Sequence, residues 1–295
     1  MASEPVIVTG GSGLIGTAII TELQRAGHRP ISLDRVPPAD THADVEYLIV
    51  DLLDAGAVFD VVSRYHPSAI IHMGTLPSPS HHPDHVTFES NVMTSYHVLS
   101  AAASHDVESV CLASSINAVG YSYQDVPMDV RYLPVDEEHP RTPRDAYALG
   151  KAMTEDLCDG IARQAGTPTT LATLRFPAVL DDEALRSRYA DANRSLQAVQ
   201  NAWDPDGPSN DLFAYIHVND AARIARQAIE ADFDGHETFW AVAKDTTADV
   251  PTETLIETFH PEVPVNTPLN GYQSLISTEK AAQLLDWEPI RSWRH

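Results

Sequence analysis

Val6-Ile7-Val8-Thr9-Gly10-Gly11-Ser12-Gly13-Leu14-Ile15-Gly16 is the stretch that decides the fold. Its apolar start, Val6 to Val8, reads as a buried first strand. The strand ends in a glycine-rich turn that opens into the helical periodicity of Leu14, Ile15, Ala18 and Ile19. Gly10 suits a tight turn, Gly13 a close backbone approach to a pyrophosphate, and Gly16 close packing of helix on strand. The helix start offers free N–H groups and a positive dipole end, so Gly10, Gly13, Leu14 and Ile15 form the expected phosphate cradle. Asp34 closes the next apolar segment, Ile31-Ser32-Leu33, where a carboxylate can accept hydrogen bonds from an adenosine ribose diol.

Outward from this unit the chain alternates strand and helix. Tyr47–Val50 reads as a third strand ending in Asp51-Leu52, a place for an adenine, and Ala69–Met73 as a fourth. Ser109–Ala113 and Thr170–Arg175 read as the fifth and sixth strands, with helices over Ala57–Tyr65, Val86–Ala103 and Asp145–Gln164. Leu76–His85 is too proline-rich for either element and is expected to be a loop. Such alternation predicts an α/β fold with a parallel, doubly wound sheet and a ligand crevice at the carboxyl ends of the strands. That puts Met73, Gly74, Thr75, Ala113 and Phe176 at a cofactor.

Composition narrows the function classes. The chain has 295 residues, with 19 Lys and Arg against 42 Asp and Glu, a formal net charge of -23. A surface so acidic repels nucleic acid and anionic membrane, so neither is an expected partner. The acids are scattered through every segment, as expected of a protein adapted to high salt. Cys111 and Cys158, one in a strand and one in a helix, do not indicate a disulfide framework. The N-terminus has no basic region followed by a long apolar run, and a cytoplasmic location is expected, where the sequon at Asn193 carries no weight.

Two loops hold the chemistry. Tyr147 and Lys151 lie one helical turn apart on the same face, and the ammonium, helped by an oxidised nicotinamide nearby, is expected to favour phenolate so that the tyrosine serves as a base. Ser115, at the end of the fifth strand, can hold a substrate hydroxyl against that tyrosine. Ser78 and Ser80 are within the loop expected to border the substrate, with Tyr121 and Tyr123 as further candidates for the same wall. Asn117 reads as a turn residue and also stands among the candidate substrate contacts. His81, His82 and His85 lack a completing carboxylate or cysteine, so no metal is expected. Asp34 disfavours a 2′-phosphate and favours NAD, while Arg35 beside it keeps NADP as the alternative.

With these motifs in this order the chain resembles the extended short-chain dehydrogenase/reductases, which include nucleotide-sugar epimerases, dehydratases and sugar dehydrogenases. TGGSGLIG is similar to the family's glycine turn, Asp51-Leu52 to its adenine site, and Asn91 to the helix asparagine that helps place the lysine. LASSINAVG supplies Ser115 at the position of the catalytic serine or threonine, and YALGK supplies Tyr147 and Lys151. LRFPAV looks like the nicotinamide-side segment, YIHVNDAARI like a late helix start, and LLDWEP like the terminal motif. The resemblance implies a Rossmann domain over 1–178, with 212–245 returning to it, and a substrate lobe over 179–211 and 246–295. It also implies a homodimer or higher homo-oligomer, often assembled through a four-helix interface.

The departures bear on substrate. After the sixth strand the chain lacks the asparagine and YGP-like turn that help nucleotide-sugar members bind their nucleotide. Its acidic stretches at Asp181-Asp182-Glu183 and Asp204-Pro205-Asp206 would repel a diphosphate. The compact plan is similar to the aldose and uronate dehydrogenases, and Ile116-Asn117 replaces the Asn-His of the uronate enzymes. A neutral aldose oxidised at C1 to the lactone is therefore expected, with Ser115, Tyr147 and Lys151 as catalytic residues. The alternatives are a nucleotide-sugar epimerase or dehydratase with tightly held NAD and, third, a non-catalytic NAD-binding regulator.

Overall fold

The first strand sends Val6 and Val8 into one apolar layer and Ile7 into another, as the two-residue period of a strand buried on both faces requires. The computed structural model describes residues 4–123, 129–164, 168–203 and 212–294. Seven parallel strands form the main sheet: β1 (Pro5–Thr9), β2 (Arg29–Asp34), β3 (Glu46–Ile49), β4 (Ala69–His72), β5 (Ser109–Ser115), β6 (Thr170–Phe176) and β9 (Gly235–Trp240). Their order is β3-β2-β1-β4-β5-β6-β9, so the direction of winding reverses beside β1, where the ligand crevice of a doubly wound sheet opens. A two-stranded parallel sheet pairs β7 (Ala178–Leu180) with β8 (Tyr215–His217).

Helices cover both faces. On one side α1 (Leu14–Arg25) lies against α7 (Val218–Glu230), whose Ile224, Ala225 and Ala228 are buried as core. On the other side stand α2 (Ala55–Tyr65), α3 (Asp84–Ser104) and α4 (Ala146–Ala162). Three short helices, α5 (Asp182–Leu185), α6 (Leu196–Ala202) and α8 (Thr252–Phe259), precede α9 (Glu279–Leu285). A further apolar cluster around Trp240, Leu133, Val135 and Leu255 joins the 130s segment to the C-terminal part of the chain.

Several boundaries differ from the sequence expectation. β5 runs two residues past Ala113 to Ser115, because both serines keep extended backbone while pairing with β6. Asp145 lies outside α4 as its N-cap and accepts a hydrogen bond from Ala148 N–H. The proline-rich segment 76–85 is not loop throughout. It contains a 3₁₀ turn at Pro79–His81, and α3 starts at Asp84. Both cysteines are buried and free. Among the described residues no helix is long and apolar enough to cross a membrane.

Candidate active site

The turn after β1 is built for an anion. Gly10 has a φ of +67°, and a Cβ there would lie 2.7 Å from the Met73 carbonyl; a Cβ on Gly16 would lie 2.1 Å from the Gly10 carbonyl oxygen. Only glycine lets the end of β1, the segment after β4 and the start of α1 come this close. Helix α1 has no side-chain cap and no acid in its first turn, so its first N–H groups remain available to a phosphate. Asp34, at the end of β2, accepts from Ser12 N–H at 3.1 Å and Val36 N–H at 3.2 Å, which fixes the carboxylate beside the glycine turn.

A cleft of about 750 Å³ opens along the carboxyl ends of the strands. Gly10, Gly13, Leu14, Ile15, Asp34 and Arg35 line it, as do Asp51, Leu52, Met73, Gly74 and Thr75. Ala113, Ser115, Asn117, Tyr147, Lys151 and Phe176 complete the part of the wall anticipated from sequence. These glycines, the uncapped helix and the carboxylate at the end of β2 suit the phosphates and ribose of a dinucleotide.

Ser115, Tyr147 and Lys151 converge there, all buried. Lys151 Nζ donates to Thr75 Oγ1 at 2.9 Å and to the Ala113 carbonyl at 2.8 Å, and lies 5.8 Å from the centre of the Tyr147 ring. The Ser115 hydroxyl stands beside the Tyr147 phenol and favours its ionised form. Without a bound dinucleotide, the protein's own groups do not favour phenolate. Burial pushes the phenol up to about 12, with the nearby Ser115 hydroxyl only partly offsetting it. Burial also brings Lys151 down to about 7, against an upward pull from Glu155. Both charged forms are desolvated, and the ammonium is spent on Thr75 and Ala113 rather than on the phenol.

Behind the site lies a buried ion network that sequence reading missed. Glu155, one turn beyond Lys151, accepts two hydrogen bonds from Arg175, at 2.9 Å from Nε and 2.9 Å from Nη2. It also accepts from Arg141 at 3.1 Å and from the Ser114 hydroxyl at 2.6 Å. These donors outweigh burial and hold the Glu155 carboxyl below its ordinary value. The acid four residues after the lysine, on a helix half sunk in the core, was the available signal; nothing local pointed to its arginines. A second network ties β1 to β4. Thr9 Oγ1 contacts His72 Nδ1 at 2.7 Å and accepts from Gly74 N–H at 3.1 Å, and Ser95 Oγ lies 3.3 Å from His72 Nε2. Burial, with Lys151 nearby, lowers His72 to about 3 and keeps it neutral. A histidine in the apolar run Ala69–Met73 was its only trace.

Other expected residues fall elsewhere. Asn91 is not on the cleft wall. Its amide binds both the N–H and the carbonyl of Leu76, at 2.7 and 3.0 Å, and so steadies the segment that carries Thr75 to the lysine. Ser78 is also off the wall, because its hydroxyl caps the 3₁₀ turn by accepting from Ser80 N–H; Ser80 itself is exposed. Tyr121 is turned into the core beside His139, whereas Tyr123 lines the cleft edge-on to Tyr147 at 6.3 Å. Asp181 caps α5 and Asp182 contacts His217, so neither acid lines the cleft. Asp204-Pro205-Asp206 lies outside the described residues. His81, His82 and His85 are exposed, and no group of metal-ligating side chains converges among the described residues.

A doubly wound sheet whose crevice joins a dinucleotide cradle to a serine, tyrosine and lysine defines an extended short-chain dehydrogenase/reductase fold. Residues 6–243 match the NAD dependent epimerase/dehydratase family, and the chain belongs to that family. NAD is accordingly its cofactor. The chain is 28% identical over 252 residues to human UDP-glucose 4-epimerase, covering 79% of this chain and 66% of that enzyme, just under two thirds of its length. The UDP-glucose 4-epimerase of Thermotoga maritima, solved with UDP-glucose, superposes with a TM-score of 0.71 at 19% identity, covering 98% of this chain and 94% of that one. A mutated uronate dehydrogenase superposes with a TM-score of 0.67 at 22% identity, covering 99% and 83%.

Proposed function

We propose that this chain is an NAD-dependent sugar dehydrogenase that oxidises a free aldose at C1 to the lactone. One observation carries the choice of substrate. The described cleft residues at the ends of β5 and β6 and in the segments just beyond them, namely Ser114 to Asn117, Ser122, Tyr123 and Phe176 to Val179, are all uncharged. Beyond Lys151, which Thr75 and Ala113 already engage, a diphosphate or a carboxylate would find no cationic partner among these residues, whereas hydroxyl groups lose little on entering such a wall.

In this reading Tyr147 takes the proton of the anomeric hydroxyl and Ser115 orients that hydroxyl. Lys151 has two of its three N–H donors engaged by Thr75 and Ala113, which leaves one for the nicotinamide ribose. When bound, NAD supplies the hydride acceptor and a positive charge that offsets the burial raising the phenol. Asp34, fixed by Ser12 and Val36, receives the adenosine ribose and favours NAD over NADP.

Nucleotide-sugar epimerisation is the second reading, favoured by the UDP-glucose 4-epimerase relatives. One experiment separates the two: free pentoses, hexoses, uronates and UDP-sugars are offered with NAD and with NADP, following absorbance of the reduced cofactor. Net reduction by a free aldose supports the dehydrogenase. Tightly held NAD in the purified protein, with interconversion of UDP-sugars and no net reduction, would replace it by the epimerase.

Two features of the surface belong to this reading. Met93 and Tyr96 on α3 and Leu149 and Met153 on α4 are 37 to 47% exposed, an apolar face that a second copy would cover as a four-helix dimer. The charge of -23 suits a protein that works in high salt.

A further inference from the structure

Lys151 is 2% exposed, and a buried ammonium is tolerated only where acceptors replace the water it has lost. Among the described residues it finds two, the Ala113 carbonyl at 2.8 Å and the Thr75 hydroxyl at 2.9 Å. The first belongs to the backbone of β5, and any residue there would supply it. The second exists only because residue 75 carries a hydroxyl.

That hydroxyl is also held still. Thr75 stands on the cleft wall in the short segment after β4, and the segment is clamped on either side of it. On one side Met73 N–H donates to the Thr9 carbonyl at 3.1 Å, and Gly74 N–H donates to Thr9 Oγ1 at 3.1 Å. His72 Nδ1 lies 2.7 Å from that same oxygen. On the other side the Asn91 amide binds both the N–H and the carbonyl of Leu76. Thr75 N–H itself turns back to the Met73 carbonyl at 2.9 Å. A seat pinned from β1, β4 and α3 presents its acceptor in one place before any ligand arrives.

We propose that Thr75 is the positioning residue for Lys151: its hydroxyl holds the buried ammonium in place and in its charged form, with the third N–H left for the nicotinamide ribose. The inference rests on the reading in which Lys151 binds that ribose, and not on the choice of sugar. The surroundings make Lys151, brought by burial to about 7, the group here that titrates near neutral pH. On its own helix Tyr147 is pushed up to about 12, and Glu155 is held below its ordinary value by Arg175 and Arg141. His72, on β4, is lowered to about 3 and stays neutral. The end of β5 brings only Ala113, Ser114 and Ser115, and α3 meets α4 here through the uncharged Asn91 and Ser95.

The test is the pH dependence of NADH binding without substrate, by fluorescence titration from about pH 5.5 to about pH 9. It compares wild type, Thr75→Val, Thr75→Ser and Lys151→Met. In wild type the dissociation constant should rise as pH passes about 7, where the ammonium is lost. Valine keeps the shape but removes the acceptor. The rise should then begin about one pH unit lower, as expected for losing a hydrogen bond to a charged group. Linkage makes the gap between the valine variant and wild type widen about fourfold from about pH 5.5 to about pH 7. A merely structural defect would weaken binding equally at every pH. Thr75→Ser keeps the acceptor and should follow the wild-type curve. Melting curves report folding, and Thr75→Ala, which removes the same oxygen with less bulk, replaces a valine variant that does not fold. A gap constant with pH, or a serine variant that behaves like the valine one, overturns the inference while weak binding by Lys151→Met leaves the lysine reading standing. Wild-type affinity in Lys151→Met removes both together.

Discussion

Replacing Glu155 by Gln probes the ion network behind the site. The carboxylate is 3% exposed and accepts four hydrogen bonds, two of them from Arg175, which is itself 3% exposed. The substitution keeps the shape but leaves the Arg175 guanidinium buried without a counter-charge. Breaking a buried pair in this way costs roughly 3–5 kcal/mol. At roughly 2 °C per kcal/mol for a chain of this size, the melting temperature should fall by about 6–10 °C. The sign of the pH dependence follows from the carboxyl's lowered value. Its contribution is fully present above the ordinary value of 4.5 and is lost as pH falls through the lower folded value. Wild type should therefore lose stability over that acid window, and the variant should show a flatter profile there. Calorimetry at neutral and acid pH measures both. The double variant Glu155→Met with Arg175→Met removes both charges and should recover most of the loss, because the desolvation cost disappears with the pair. A single variant melting within a degree of wild type, or a double variant no better than the single, would refute the reasoning.

Four further outcomes follow. Tyr147→Phe should lower turnover by about 10²- to 10⁴-fold while leaving NAD binding intact by fluorescence titration; full activity would remove the phenol from the scheme. Gly16→Ala should abolish NAD binding, since its Cβ would lie 2.1 Å from the Gly10 carbonyl oxygen; retained affinity in equilibrium dialysis would contradict the turn geometry. Molar KCl should raise the melting temperature over dilute buffer, because counterions screen a net charge of -23, and equal stability in the two would count against adaptation to salt. Leu149→Asp with Met153→Asp should shift the protein towards monomer in sedimentation; an unchanged mass would place any interface elsewhere.

What could be read from the chain and what could not divide along a physical line. The strand-to-helix turn at Gly10 to Gly16 was legible because its demands are local: a positive φ and two close approaches exclude side chains at fixed spacings. Tyr147 and Lys151 were legible for the same reason, since helical geometry alone sets them on one face. The properties of those two residues were not legible. An ammonium one turn from a phenol suggests a lowered phenol pKa only if both face one another in a polar setting. Here the surrounding core desolvates both, and Thr75, from the segment after β4, and Ala113, from β5, take up the lysine's donors. The same holds for Glu155 with Arg141 and Arg175, and for His72 with Thr9 and Ser95: each set is assembled across the sheet from separate elements.

Asn117 shows how the two kinds of information combine. Its place two residues after Ser115 is local and made it readable as a turn residue, and the backbone half of that reading holds, since its N–H meets Ser115 Oγ in a serine-capped 3₁₀ turn. The side chain adds a second hydrogen bond to the same serine, from Nδ2 to Ser115 Oγ. The turn that a serine caps is what brings Asn117 to the cleft wall, so a residue that shapes the backbone also forms part of the site.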